Sequence, residues 1–318
     1  MRIVVTGSLA YDYIMNFPGY FKDHILPEKA HILSVSFLVD AMRKMRGGVA
    51  GNIAYNLALL GERPLIFGTA GHDFGEYRHW LETQGIETSR IVTIDHEFTS
   101  SCFITTDQAD NQIVAFYSGA MAYSRQLSLR TLELSPDDLV LISPSDSEGM
   151  YQHAIECQEL GIPYVFDPGK QTPRLEAAHL RAGLTGARVL VGNDYEFGMM
   201  ARKLEISEED LIASTPVTVV TRGELGSTIY TREPEYRKLD IPVAPIHEVN
   251  DPTGAGDAYL AGLVYGLVRR LPLEVTGRVA ALAAAYAIEQ RGCQEHRYTL
   301  EAFAARYEEA FGRSDLLA

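Results

Sequence analysis

Residues 250–263 read NDPTGAGDAYLAGL. Beyond Ala258 the apolar residues Leu260, Leu263, Val264, Leu267, Val268 and Leu271 recur at i, i+3, i+4, i+7, i+8 and i+11, the stripe of a buried helix face. Gly254, Ala255, Gly256 and Asp257 therefore fall at the N-terminus of that helix. There, unpaired N–H groups and the positive end of the helix dipole favour an anion. Small side chains let a phosphate approach the backbone closely. Asp257 would repel a phosphate placed beside it. It fits if its carboxylate faces an accepting hydroxyl while the Gly254–Gly256 amides hold a phosphoryl group in transfer. Phosphoryl transfer rests on positioning and charge stabilisation, so one carboxylate able to take the hydroxyl proton suffices. The plainer alternative is a glycine-rich turn with aspartate as an ordinary N-terminal cap.

Working outward, Ile3–Thr6, Leu65–Gly68, Leu139–Ile142, Tyr164–Phe166, Val189–Val191 and Val217–Val220 read as buried strands. Most are rich in Val and Ile without polar alternation, as strands covered on both faces should be. Between them, Ile53–Leu60 and Met150–Leu160 have helical periodicity, and each is followed by a glycine, the usual stop signal. Repeated strand-then-helix order implies a parallel, doubly wound α/β sheet. Two stretches break the rhythm. In His31–Val39 the apolar Leu33, Val35, Phe37 and Val39 alternate with Ser34 and Ser36, which predicts a strand with one polar face. Ser101–Thr106 and Gln112–Tyr117 flank the turn-prone Asp107–Asn111 and predict a hairpin. Together they suggest a small antiparallel sheet inserted into the core, able to act as a lid.

The 318 residues suffice for one large α/β domain, and no run of eighteen apolar residues suggests a membrane span. A net charge of −14 without a basic stripe argues against a nucleic-acid partner. Cys102, Cys157 and Cys293 form no CxxC pair, and the start of the chain reads as a strand rather than a signal peptide. Reduced thiols in a cytoplasmic protein are expected. The nine histidines show no HExxH spacing, and there is no G-x-x-x-x-G-K-[ST] loop; Lys170 follows Gly169 without a Ser or Thr after it.

The motifs in order are GGVAGNIA (Gly47–Ala54), NDYE (Asn193–Glu196), TRGELG (Thr221–Gly226) and DPTGAGDAYLAGL (Asp251–Leu263). This set resembles the ribokinase-like (PfkB-type) carbohydrate and nucleoside kinases, from Gly7 to about Gly292. The resemblance implies a single ribokinase-like domain over residues 1–318, with lid segments at about 12–46 and 97–121. It also implies ATP as donor with Mg²⁺, and Asp257 as base. Asn193 and Glu196 would organise Mg²⁺, water and phosphates, Glu196 reaching the metal through water. Thr221, Arg222, Gly223 and Gly226 would form the nucleotide loop. Asp251 would order its loop, with a monovalent cation such as K⁺ in some relatives. A homodimer through the lid is also expected.

TGSLAYDYIMNFPG (Thr6–Gly19), the segments LPE and SFLVD, and FDPGKQ (Phe166–Gln171) are similar to bacterial adenosine kinases within this family. By that likeness Asp12 and Asn52 hold the ribose 2′- and 3′-hydroxyls, with Gly48 beside them. Ser8, Ser36 and Gln171 lie near the purine, and Phe116 stacks on the base. Cys102 departs from the pattern by standing where a second aromatic is usual, and the adjacent Phe103 should point to the other sheet face.

Each residue also has a plainer reading: Asp12 as a turn residue after the first strand, Asn193 and Glu196 as a helix cap, Phe116 as core and Arg222 as a solvated charge. A kinase for a free sugar such as ribose or fructose shares the same motifs, with Cys102 as its best support. A non-catalytic ligand-binding relative should lack Asp257 or leave it idle.

Overall fold

The computed structural model describes residues 1–232 and 235–313. The strands are β1 (Ile3–Thr6), β2 (Ala10–Asn16), β3 (Ala41–Gly47), β4 (Leu65–Gly71), β5 (Ile91–Ile94), β6 (Ser100–Thr106) and β7 (Gln112–Tyr117). They continue as β8 (Leu139–Ile142), β9 (Tyr164–Phe166), β10 (Val189–Asn193), β11 (Val217–Thr221), β12 (Ser227–Thr231) and β13 (Arg237–Ile241). Nine of them form one sheet in the order β13-β12-β11-β10-β9-β8-β1-β4-β5. It is parallel from β5 to β11, and β12 alone is reversed, pairing antiparallel with β11 on one side and β13 on the other. This is the ribokinase-like α/β architecture that the motifs imply.

Both faces of the large sheet are covered, which explains the unbroken apolar runs. In β8, Leu139 and Leu141 join the core on one side, while Val140 and Ile142 join the core on the other. The first core includes side chains from the helices Val49–Leu59 and Ala255–Val268; the second includes side chains from Ser147–Leu160 and Asp194–Leu204. The helix Ala255–Val268 lies tightly against Leu273–Ile288, since a Cβ on Gly262 would stand 2.6 Å from Ala280 Cα. Among the described residues no helix is long and apolar enough to cross a membrane.

The other four strands form a separate sheet, β3-β2-β6-β7, which the chain enters after the C-terminal ends of β1 and β5. The expected hairpin is present as β6 and β7, with Asp107 closing the turn through the amides of Ala109 and Asn111. The strand expected over His31–Val39 is not formed. Pro27–Ile32 is a 3₁₀ helix, residues 33–39 lack regular structure, and β3 begins only at Ala41. The reason is geometric: both edges of β2 are already taken, by β3 and by β6. The alternation instead lets Phe37 pack on Phe17, Phe21 and His24 while Leu33 and Leu38 stay exposed.

Candidate active site

The anion end of the site is the start of the helix Ala255–Val268. Gly254 is its N-cap with φ +83°, a conformation that favours glycine, and a Cβ there would lie 3.0 Å from Cys293 Sγ. Gly256 and Asp257 follow in the first turn, where amides lack an acceptor within the helix. The N–H of Ala255 donates to Pro252 O at 3.3 Å. Nothing lies within 4 Å of where a Cβ on Gly256 would be, so the backbone faces open space. Asp251 orders the approach to this turn, its carboxylate accepting from Thr253 N (2.9 Å) and Gly292 N (3.0 Å).

Asp257 is held by Asn52, whose Nδ2 donates to Asp257 Oδ2 at 2.8 Å. Asn52 sits in the first turn of Val49–Leu59 and is itself fixed from behind. Gln294 Nε2 donates to Asn52 Oδ1 at 2.9 Å and also to Tyr77 Oη, while Trp80 Nε1 donates to Gln294 Oε1 at 3.2 Å. This buried relay sets which end of the Asn52 amide meets Asp257 and leaves the second Nδ2 proton free for a ligand. Gly48 begins the same helix with φ +86°, and a Cβ there would stand 2.5 Å from Ala10 N. Ser8 serves that helix start as well, its Oγ accepting from Val49 N at 3.1 Å.

Strand register places the acceptor candidates together. Met45, Asp12, Cys102 and Phe116 are successive cross-strand partners in β3, β2, β6 and β7, so their side chains share one face of the small sheet. Phe103 points to the opposite face and stacks on Tyr13 at 4.9 Å, as expected from strand alternation. Phe116 is 44% exposed, an open ring rather than core. A Cβ on Gly47 would fall 2.3 Å from Asp12 Oδ2, so glycine makes room for the carboxylate. Gln171 follows β9 and is buried, and its Oε1 has no hydrogen-bond partner among the described residues. Ser36 lies exposed on the irregular segment, with no hydrogen bond tying it to this cluster among the described residues.

At the donor end, Asn193 and Glu196 form a reciprocal capping box, Glu196 N to Asn193 Oδ1 and Asn193 N to Glu196 Oε2, both 2.8 Å. Glu196 Oε1 stays free of it. Thr221 ends β11, and Arg222 N donates to Gly226 O at 2.8 Å, closing the Thr221–Gly226 turn around Gly223. The Arg222 guanidinium donates to Thr228 Oγ1, which donates in turn to Asp240, so it lies along β12 and β13 in this state.

The cleft is acidic. Burial pushes Asp257 up to about 6, opposed by the Asn52 hydrogen bond and the positive field of Lys170, and raised further by Asp12. Asp12 also rises to about 6 through burial, with Lys170 opposing and Asp251 adding. Burial raises Asp167 well above the carboxylate range, with repulsion from Glu196 and Asp257 behind it. Among the described residues no three His, Cys, Asp or Glu side chains stand close enough to hold a metal directly. Glu196 and Asp167 are instead carboxyl groups that repel one another in the cleft, and a cation bound chiefly by phosphate oxygens and water would relieve that repulsion and favour their ionised forms, which fits Mg²⁺ held through water.

Asp167, Lys170, Gln294 and Tyr77 are residues beside the candidate site that motif reading passed over. Lys170 stood in view in FDPGKQ, but the absence of a following Ser or Thr set it aside. Nothing in the local sequence marks Gln294 or Tyr77, because their role arises only from long-range contact with Asn52.

Residues 3–299 match the family described as pfkB family carbohydrate kinase. A nucleoside kinase of Methanocaldococcus jannaschii is 29% identical over 309 residues, covering 96% of this chain and 97% of that protein. The structure of a Burkholderia thailandensis nucleoside kinase in complex with inosine superposes with a TM-score of 0.87 at 35% identity, covering 98% of this chain and 99% of that one. The same protein in complex with ADP-inosine gives a TM-score of 0.85 at 36% identity, covering 98% and 97%. With a helix N-terminus open to an anion and a carboxylate oriented beside it, the chain belongs to the pfkB family of carbohydrate kinases and is an ATP-dependent phosphotransferase with an alcohol group as acceptor.

Proposed function

We propose that the chain transfers the γ-phosphoryl group of ATP to the 5′-hydroxyl of a purine ribonucleoside, adenosine in the first place, giving AMP and ADP. The observation that carries this reading is the shared face of the small sheet. Asp12, a hydroxyl acceptor, and Phe116, an open aromatic ring, stand on one row, with Asn52 and Asp257 across the cleft. A ribose with a flat base fits that row better than a free sugar, which has nothing to lay on the ring. That a nucleoside kinase 35% identical to this chain holds inosine supports a nucleoside acceptor. The unpartnered Oε1 of Gln171 supports a purine, since it accepts an N–H such as the 6-amino group of adenine. The same amide turned end for end meets hypoxanthine, so inosine belongs in the test.

In the reading we favour, Asp12 and Asn52 hold the ribose diol, and Asp257 Oδ1 takes the 5′-hydroxyl proton. The Gly256 and Asp257 amides face the charge that develops on the transferred group. Asn193, Thr221, Gly223 and Gly226 shape the donor site, and Glu196, with Asp167 beside it, holds the hydrated metal. Bound Mg²⁺ supplies neutralising charge on the β- and γ-phosphates. The small sheet acts as a lid that keeps water from taking the phosphoryl group. Its outer face carries the exposed Phe103, Ile113, Tyr117 and Met42, and we assign that face to a second copy in a cytoplasmic homodimer. Light scattering would check this, the expected mass being twice that of the chain.

Initial rates with adenosine, inosine, other nucleosides, ribose and fructose test the acceptor; ribose or fructose outcompeting adenosine would overturn the nucleoside reading. Phe116→Ala tests it from the protein side. Stacking a base on an aromatic ring is worth roughly 1–3 kcal/mol, so kcat/KM for adenosine should fall about 5- to 150-fold, mostly through KM. Residual turnover of ribose should hardly change.

A further inference from the structure

Five carboxylates, Asp12, Asp167, Glu196, Asp251 and Asp257, surround the cleft into which a polyanionic donor must come. Lys170 is the cation whose field reaches Asp12, Glu196 and Asp257 together. It follows the end of β9, the strand between β8 and β10 in the large sheet. Gly169 before it adopts φ +43° against Pro144, a turn that a side chain at position 169 would strain. Lys170 is exposed, and among the described residues it makes no hydrogen bond or ion pair. By contrast Lys203 spends its ammonium on the carbonyls of Thr172, Pro173 and Leu175, just beyond Lys170 in the chain. An uncommitted ammonium amid that many acids stands ready for an anionic ligand.

We propose that Lys170 is a catalytic residue of the transfer, its ammonium contacting the γ-phosphoryl oxygens between the acceptor row of the small sheet and Glu196. The proposal rests on the acceptor placement given above. In the step, the 5′-oxygen forms a bond to the γ-phosphorus and its proton passes to Asp257. The bond from that phosphorus to the β-bridging oxygen breaks, and its electron pair leaves on ADP. Lys170 keeps its protons throughout and offsets charge that the helix amides meet from the other side.

The test uses the full chain with Lys170→Met and Lys170→Arg. Lys170→Met should lower kcat about 10- to 10²-fold, while Lys170→Arg stays within a few-fold of wild type. Calorimetric titration should show binding of adenylyl imidodiphosphate weakened about 10-fold or more, with ADP affinity nearly unchanged. The acid limb of kcat/KM should also move to higher pH. Asp257 also faces Asn52, Asp12, Asp167 and Cys293, and among the described residues Lys170 is the cation that holds its pKa down, so removing Lys170 raises it further. Unchanged kcat, equal losses of ADP and the imidodiphosphate, or an effect confined to the acceptor KM would each overturn the proposal. If wild-type enzyme phosphorylates a free sugar and no nucleoside, the acceptor reading fails. The Lys170 series is then run on that sugar, and the two titrations need no acceptor at all.

Discussion

Asp257→Asn should lower kcat by at least about 10²-fold with KM for acceptor and donor little changed, the lower range of what a general base contributes. The substitution keeps the shape, because an Asn at this position still accepts the Asn52 Nδ2 proton where Asp257 Oδ2 does so at 2.8 Å. What disappears is the ability to take a proton. The fold should not suffer. Folding lifts the Asp257 pKa from 3.8 to about 6, so the native state binds an extra proton between those values and stability falls as pH rises through that window. Above pH 6 the neutral amide is spared this cost, and Tm should hold or rise, separating lost chemistry from lost structure. In the wild type, kcat/KM should climb through about pH 6 and level off above it. Asp12 titrates in the same range and interacts with Asp257, so the acid limb belongs to the pair and should be steeper than one proton demands. Near wild-type turnover by Asp257→Asn would remove the carboxylate from the mechanism.

The parts of the fold that were legible in sequence are those where one local cause decides the outcome. Ile3–Val5 and Leu139–Ile142 must be apolar at every position because each face meets a different core, and the strands Ile3–Thr6 and Leu139–Ile142 appear at the bounds expected. The helix ending at Leu160 stops where Gly161 takes φ 66°. The misreading of His31–Val39 shows the limit of alternation: it reports one buried side, and Phe37 finds that side against Phe17 and Phe21 without any strand to pair with. β2 was passed over because AYDYIMN mixes a carboxylate with aromatics and shows no clean alternation. The same logic divides the site. Gly254 and Gly48 are visible because backbone geometry requires them, whereas Gln294 acts on Asn52 across 242 residues of sequence. Only the packing of the loop after Leu273–Ile288 brings those two side chains together.

Asp12→Ala should weaken acceptor binding about 10- to 150-fold, since a hydrogen bond to a charged group is worth roughly 1.5–3 kcal/mol. The loss should fall on KM for the nucleoside, because the ribose diol is held alike before and during transfer. Asp12 is well placed for this. Its register with Met45 and Cys102 fixes it on the cleft face, and Gly47 leaves the space its carboxylate occupies. Its pKa near 6 gives a second signature, as acceptor KM should rise when the pH falls below 6 and the carboxylate becomes protonated. Loss of the Asp12 charge also relieves the repulsion that raises Asp257, so the acid limb of the variant should move to lower pH and approach a single-proton slope. A structural role would move none of these in that direction. The decisive comparison pairs the variant with a matching change in the ligand. In wild-type enzyme 2′-deoxyadenosine should lose about as much kcat/KM as Asp12→Ala loses with adenosine. In Asp12→Ala the two nucleosides should become nearly equal, because the hydroxyl no longer has its partner and the two deletions cease to add. If the 2′-deoxy penalty persisted undiminished in the variant, Asp12 would not be the residue that reads the 2′-hydroxyl.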